Sequence, residues 1–534
     1  MVNITAQSGD IHSSVLSGRS RIWLLVVCSM GVLLVISSMV ALNAALGAIA
    51  LETLATQSQL TWIVDGYTLV MACLLLPAGA LGDRYGRRTV LLVGLVIFAV
   101  ASLAPIYFDS PTALIIARGV TGIGAAAVLP ATLSLLIAAY PEDQRNKVIG
   151  IWAGVCASSA LVGFMGTAIL TQFGPWQSIF WAFVAAAALL FVSALTISSS
   201  KDPEATPVDL WGALLIGSAV AVFVFGVIEA PLRGWSAPSV YGCLAGGVLL
   251  AVAFGFVELR RKHPLLDIRV FKRPDMLTGS IGMTTLFFAI FGFFFLIMQH
   301  LQLVLGYTPL QTAIALCPLA VPLLVFAALT GWYLPRFGLR ISVAVGLATL
   351  AAGLLCMRLL DVDSSYFDLA WPMLVLSTGM GICNAPSTTA ITGAVPLSKQ
   401  GVASAINDTT RELGGALGIA LAGSILAAGY NDALVRHVAT LPETVREPAL
   451  GSLAQALTIA DRLGPAGGDL TSHAKAAFMQ AMHSSLLMLG IVVLVSAIVV
   501  AIWAPGRDGQ QIRVVRRFTA GRGEKPRSTT TARG

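Results

Sequence analysis

Long apolar runs separated by short polar turns fill most of this 534-residue chain. A helix crossing a bilayer core needs about 20 predominantly apolar residues, with roughly 17 to 25 tolerated. Fourteen runs meet that length, approximately Ile22–Leu46, Leu60–Ala80, Thr89–Phe108, Pro111–Ile137, Val148–Leu170, Ile179–Ile197, Leu210–Ile228, Val240–Val257, Leu277–Met298, Leu310–Tyr333, Ile341–Met357, Leu369–Ile391, Ala403–Ala428 and Leu486–Trp503. The first is longer than the core of a signal peptide, so no cleavage is expected. One polar interval stands apart: residues 430–483 form a long segment in which Leu450, Leu453, Ala454, Leu457 and Ala460 keep helical spacing. An amphipathic helix over the extracellular mouth is expected there.

Composition agrees with the pattern. Hydrophobic residues make up 57% of the chain and charged residues only 11%, against about a quarter charged in soluble domains. The chain is therefore expected to be an integral membrane protein. With both termini inside, 25 of the 33 Lys and Arg residues fall in inner segments and six in outer ones, Arg233, Arg358, Arg436, Arg446, Arg462 and Lys475. Cations collect on the cytoplasmic side of membrane proteins, so both termini are expected to be cytoplasmic. The net charge of +7 then needs no nucleic acid to explain it. The seven cysteines lie within predicted spans without C-x-x-C spacing, and the six histidines are scattered, so neither disulfides nor a metal site is expected.

The turn Gly79-Ala-Leu-Gly-Asp83-Arg84-Tyr-Gly86-Arg87-Arg88 concentrates glycine and charge between two apolar runs. Its arginines place it on the cytoplasmic side, and its glycines permit close approach of helix ends. Asp83 is placed to meet the positive N-terminal end of another helix, near Gly401–Ser404, or an arginine. A second copy appears 252 residues later, where Gly331, Arg336, Phe337, Gly338 and Arg340 align with Gly79, Arg84, Tyr85, Gly86 and Arg88, and Pro335 replaces Asp83. That spacing marks an internal repeat.

The pattern G-x-L-x-D-R-x-G-R-R resembles the loop between helices 2 and 3 of the major facilitator superfamily. Trp62-Ile-Val-Asp-Gly-Tyr67, Arg118-Gly-Val-Thr-Gly-Ile-Gly124 and Asn407-Asp-Thr-Thr-Arg-Glu-Leu-Gly-Gly415 are similar to its fourteen-helix drug:proton antiporter (multidrug efflux) branch. The resemblance implies an all-α integral membrane fold of 14 transmembrane helices arranged 6+2+6. The corresponding divisions are a cytoplasmic tail at 1–20, an N-terminal half at 21–200, an inserted helix pair at 201–276, a C-terminal half at 277–504 and a disordered basic tail at 505–534. It also implies a cytoplasmic gate at Gly79, Asp83, Arg84, Gly86, Arg87 and Arg88. Two departures occur in the first helix, where Ser38 replaces a usual aspartate and Gly47 a proline. The missing acid weakens the expectation of cationic substrates. Gly154, Ser158, Gly163 and Gly166 recur on one strip, which fits close helix packing as well as the branch's antiport motif.

Four groups within the spans are candidates for proton coupling: Glu412, Asp408, Asp65 and Arg118. Ionisable groups in a membrane interior are functional candidates by default. Asp65 and Arg118 are at similar depth, so an ion pair between them is expected. Asp408 and Arg411 are three residues apart and can pair within one helix. That leaves Glu412, in a dry place, as the principal proton carrier, because burial disfavours the ionised form. The chain has no G-x-x-x-x-G-K-[ST] loop, so the proton gradient and not a nucleotide cofactor is the expected energy source. The reading is a non-enzymatic, proton-coupled exporter of small amphipathic drugs or antibiotics, working as a monomer in the cell membrane by alternating access. Its rivals are an exporter of one endogenous lipid or metabolite and a non-transporting receptor or scaffold on the same fold.

Overall fold

The computed structural model describes residues 18–53, 57–108, 110–200, 209–261, 264, 266–439 and 442–507. The expected terminal tails lie almost wholly outside these residues. Six helices come first: α1 (Gly18–Thr53), α2 (Gln57–Tyr85), α3 (Arg87–Tyr107), α4 (Pro111–Ala139), α5 (Glu142–Phe173) and α6 (Ser178–Ala194). A hairpin follows, α7 (Leu210–Arg233) and α8 (Pro238–Glu258). The remainder comprises α9 (Pro274–Gln299), α10 (Pro309–Leu316), α11 (Ala320–Cys356), α12 (Tyr366–Gly393), α13 (Gln400–Leu434), α14 (Glu443–Gly451), α15 (Leu453–Leu463) and α16 (Gly468–Trp503). Among the described residues, 11 helical segments are long and apolar enough to cross a membrane.

The repeated turn is visible in the backbone. Gly86 separates α2 from α3 at φ +105°, and Gly338 breaks the long α11 at φ +74°. A side chain at either position would force a conformation that only glycine adopts without strain. The two turns, 252 residues apart in sequence, thus share a glycine of positive φ at the same place in the motif. In the other interrupted span, Pro318 falls in a one-turn 3-10 segment, Cys317–Leu319, between α10 and α11.

The halves meet along three seams: α2 packs on α13, α5 on α11 and α12, and α4 on α13. The hairpin packs through α7 against both α2 and α13, beside the first of these seams. The segment 430–483 is more ordered than a loop with one amphipathic helix. α13 runs to Leu434, α16 begins at Gly468, and α14 and α15 lie between them. Leu453, Ala456 and Ala460 of α15 are buried in the same core as Phe478, Met479 and Met482 of α16. Ala454, expected on the buried face, is exposed, and Ala456 takes its place.

Candidate functional site

One end of the bundle is closed by the first glycine-arginine turn. Gly79 of α2 and Gly401 of α13 face each other so closely that a Cβ on Gly79 would lie 2.4 Å from the Gly401 carbonyl oxygen. With the backbones in contact, the Asp83 carboxylate reaches the first turn of α13. It accepts hydrogen bonds from the Gly401 amide at 2.8 Å and the Val402 amide at 3.1 Å. Those amides have no partner within their own helix, and the helix dipole adds a favourable field for a carboxylate there. Arg87 donates to the same carboxylate through Nε at 3.0 Å and Nη2 at 2.8 Å. It also donates to the Leu397 and Ser398 carbonyls just before α13 and to Ser200 Oγ after α6. Arg88 donates to the carbonyls of Ala194 and Leu195 at the end of α6. Arg84 lies over the Tyr85 ring instead, 5.3 Å from its centroid. Asp83 and Arg87 therefore join the halves, whereas Arg88 ties α3 to α6 within one half.

Further along α13, Asp408, Arg411 and Glu412 are all buried. Arg411 Nη1 pairs with Asp408 Oδ1 at 3.4 Å and reaches across to Cys156 Sγ on α5 at 3.3 Å. Its guanidinium also sits 4.5 Å from the Phe287 ring centroid. The pair is only partly satisfied: Asp408 Oδ2 and Arg411 Nε have no hydrogen-bond partner, and neither do the neighbouring Ser404 Oγ, Asn407 Oδ1 and Thr409 Oγ1. Glu412 accepts no hydrogen bond from any described residue. Buried polar atoms in this condition normally bind water. On the facing side of the seam, Asn384 of α12 donates to the Ala153 carbonyl of α5 at 3.1 Å.

The expected Asp65–Arg118 pair is not formed. Arg118 donates to Ser38 Oγ at 3.0 Å, to the Ser38 carbonyl at 3.1 Å and to the Ile63 carbonyl at 3.1 Å. Its guanidinium stacks 4.2 Å from the centroid of the Tyr67 ring. Similar depth was a sound inference, but helix face decides. Ile63 and Tyr67, four residues apart, face α4, whereas Asp65 lies about 200° around the helix from Tyr67. It shares a face with Trp62, whose ring approaches Phe225 of α7, and with Leu69, which packs against the cluster formed by Ala72 with Val220 and Val224 of α7.

The small-residue strip on α5 also divides. A Cβ on Gly154 would meet Ala327 Cβ of α11 at 2.8 Å, and one on Gly163 would meet the Ser37 backbone of α1 at 2.6 Å. Gly166 has nothing within 4 Å of a built Cβ, so it serves no close helix contact. Ser158 Oγ is buried without a partner. Asp83 meets Gly401 at the helix end where the sequence places it, whereas Asn384 and the role of Ser38 as the partner of Arg118 are not read from the sequence. For Asn384 a signal existed, since an amide inside the apolar run before Pro386 must find a partner.

Two packed halves joined by seams that carry buried charge, in a chain dominated by membrane-length helices, have the build of a membrane transporter. Residues 25–419 match the Major Facilitator Superfamily, and the chain belongs to that family. It is 31% identical over 439 residues to the multidrug resistance protein Stp of Mycobacterium tuberculosis, covering 82% of this chain and 81% of Stp. It is 30% identical over 505 residues to the tetracenomycin C resistance and export protein of Streptomyces glaucescens, covering 92% and 93%. Similarity to the methyl viologen resistance protein SmvA of Salmonella typhimurium is 30% over 490 residues, covering 90% and 97%. Among solved structures, the proton:xylose symporter XylE bound to 6-bromo-6-deoxy-D-glucose matches with a TM-score of 0.61 at 13% identity, over 94% of this chain and 100% of that one. The human organic anion transporter MFSD10 matches at 0.57 and 14%, over 89% and 99%. The protein is thus a multi-pass transporter of the cell membrane and not an enzyme.

Proposed function

We propose that this transporter is a proton-coupled exporter of small amphipathic compounds, drugs or antibiotics among them, that alternates access between its two halves. The proton gradient supplies the energy, no cofactor takes part, and the monomer is the working unit. The observation that carries the reading is the incompletely satisfied Asp408–Arg411–Glu412 group, buried on α13 where the halves meet. Ionisable groups inside a membrane protein are candidates for proton exchange, and alternating access would expose this one to water on each side in turn. The names of the similar resistance and export proteins support drug efflux as the direction and cargo.

The proposed topology has fourteen spans with both termini cytoplasmic. The 11 long apolar segments reach that number when Leu310–Leu359 is divided at Gly338 and when Ser178–Ala194 and α12 also cross. The excess of cations in inner segments supports the orientation. On that topology the Asp83–Gly401 closure is a cytoplasmic gate, shut in this structure. Protons would load Glu412 from outside as substrate leaves, and depart inside once the gate opens.

The test is flux in proteoliposomes under an imposed pH gradient, with uptake of the uncharged lipophilic dye Nile red into an acidified lumen as readout. Gradient-dependent accumulation that collapses with a protonophore is expected. Equal accumulation with and without the gradient would refute proton coupling. No accumulation in either condition would refute export of this class and favour a single endogenous cargo or a scaffold.

A further inference from the structure

On the flank of the N-terminal half, α6 packs chiefly on α3 and meets α1 and α5 only lightly. Between them runs a groove of about 460 Å³, the size of a small-molecule pocket. Its α1 wall extends from Trp23 to Ser37 and its α6 wall from Ser193 back to Ile179. Each wall covers 14 residue steps, or about 21 Å along a helix axis. α5 lines the half farther from the Asp83 gate, through Val162 to Leu170. Val26, Met30, Val162 and Leu189 form exposed lips, and Leu34 and Leu190 behind them are buried. The hydroxyls of Ser37 and Ser193 are engaged on the Ser159 and Leu189 carbonyls, each at 2.9 Å. Gly163, pressed on the Ser37 backbone, shuts the seam behind the groove, whereas Gly166 opens onto it, with nothing within 4 Å of a built Cβ.

The gate end of the groove differs in chemistry. There Trp23 Nε1 donates to Thr196 Oγ1 at 2.7 Å, between α1 and the end of α6 that Arg88 holds. Arg19 stands one turn before Trp23 on the same face of α1. It is exposed, and among the described residues it forms no salt bridge. Tryptophan and arginine are the residue types that settle where hydrocarbon meets headgroups.

We infer that this groove holds one chain of an anionic phospholipid, with the phosphate at Arg19 and the chain laid along α1 and α6. A wall whose hydroxyls are already engaged recognises hydrocarbon by burial and packing alone. Its length of about 21 Å exceeds the roughly 15 Å of hydrocarbon in one leaflet, so a whole chain fits lengthwise. The closed seam at Gly163 and Ser37 argues against a passage for exported compounds, because the groove leads along the bundle and not into it. The cation at one end complements a phosphate.

The test is photolabelling in phosphatidylcholine proteoliposomes containing a trace of phosphatidylglycerol, or of phosphatidylcholine, with a diazirine in one acyl chain. Labelled peptides of the full-length protein are read by mass spectrometry, and the exposed face of α8 at Tyr241 and Val248 serves as the reference for ordinary bilayer lipid. In the parent, the phosphatidylglycerol probe should label the groove walls of α1 and α6 well above that reference, and excess unlabelled phosphatidylglycerol should compete. Gly166→Phe, which projects a ring into the groove from a position with room for it, should reduce groove labelling to the α8 level. Arg19→Gln should lower phosphatidylglycerol affinity about fivefold and leave labelling by the phosphatidylcholine probe unchanged. Equal labelling of groove and α8 in the parent would mean ordinary bilayer lipid only and would overturn the inference, as would parental labelling in folded Gly166→Phe. Displacement of the probe by Nile red but not by phosphatidylglycerol would also overturn it and assign the groove to exported compounds. If Gly166→Phe does not fold, parental phosphatidylglycerol affinity in Arg19→Gln overturns the inference by itself.

Discussion

Replacing Asp83 by Asn should open the end of the bundle that its carboxylate holds shut. Two of the four hydrogen bonds to Asp83 cross between the halves, from the amides of Gly401 at 2.8 Å and Val402 at 3.1 Å. The other two come from Arg87, which also grips the carbonyls before α13. An asparagine oxygen can still accept one backbone bond, but its amide group then points a donor at the other N–H. Hydrogen bonds to charged groups contribute about 1.5–3 kcal/mol each, and the field of the helix terminus up to about 2 kcal/mol more where partly buried. Losing one such bond and the charge on the other gives about 3 kcal/mol, or roughly 150-fold in the ratio of closed to open states. A population closed about 100 to 1 would become nearly even. Spin labels at Tyr85 and Leu397, both exposed and on opposite sides of the closure, would report this as a longer distance component. The seven native cysteines would first be replaced. Expression and folding should be retained, and export should fall. Identical distance distributions in Asp83→Asn and parent would refute the assignment of the gate to this carboxylate.

Three other outcomes are expected. Gly401→Ala would place a Cβ 2.2 Å from the Gly79 carbonyl oxygen, so it should open the same end by overpacking, at a cost of about 1–3 kcal/mol, visible with the same labels. Glu412→Gln should abolish gradient-driven Nile red accumulation while binding of the dye persists, because the amide keeps the shape but cannot carry the proton; full accumulation would move the role to Asp408 or Asp65. Leu453→Ala on α15, 3% exposed in the parent, should destabilise the protein by about 2–5 kcal/mol, measured as a lowered thermal unfolding midpoint in detergent; an unchanged midpoint would mean that α15 contributes nothing to the core.

The parts of this molecule legible in the sequence were those set by periodicity and by charge at a boundary. Long apolar runs predict helices because lipid leaves the backbone no other partner than itself, and α1 to α9 lie close to the runs that predicted them. The two glycine turns were readable because positive φ demands glycine. Helix rotation was not readable. The Asp65–Arg118 pair failed over an angle about the axis of α2, which run length and depth do not encode. The rows that decide it, Ile63 with Tyr67 and Trp62 with Leu69, are equally apolar. Likewise, no local feature separates Gly163, pressed on Ser37, from Gly166, where an added Cβ would meet nothing within 4 Å.

Placing the gate contact and the buried acids on one helix has a mechanical consequence. α13 contains no proline and runs without a break from Gln400 to Leu434, whereas α11 is broken at Gly338 and α12 carries Pro372 and Pro386. Glu412 lies 11 residues beyond Gly401, about 17 Å along the axis. Over that distance an unbroken helix moves as a rod, so a displacement of the Glu412 region relative to α5 is carried to the amides that hold Asp83. Arg411 supplies such a link, since it bonds Asp408 within α13 and Cys156 across the seam. A proton on Glu412 removes a negative charge beside Arg411 and so changes the field that holds its guanidinium between Asp408 and Cys156. Asp83 already accepts four hydrogen bonds, and at about 17 Å along the helix the direct effect of one proton on it is small, about 1 kcal/mol at an effective dielectric constant of about 20. Coupling between proton and gate, on the proposed function, therefore runs through the position of α13 as a whole, and a flexible insertion between residues 405 and 407 should uncouple them while leaving both local structures intact.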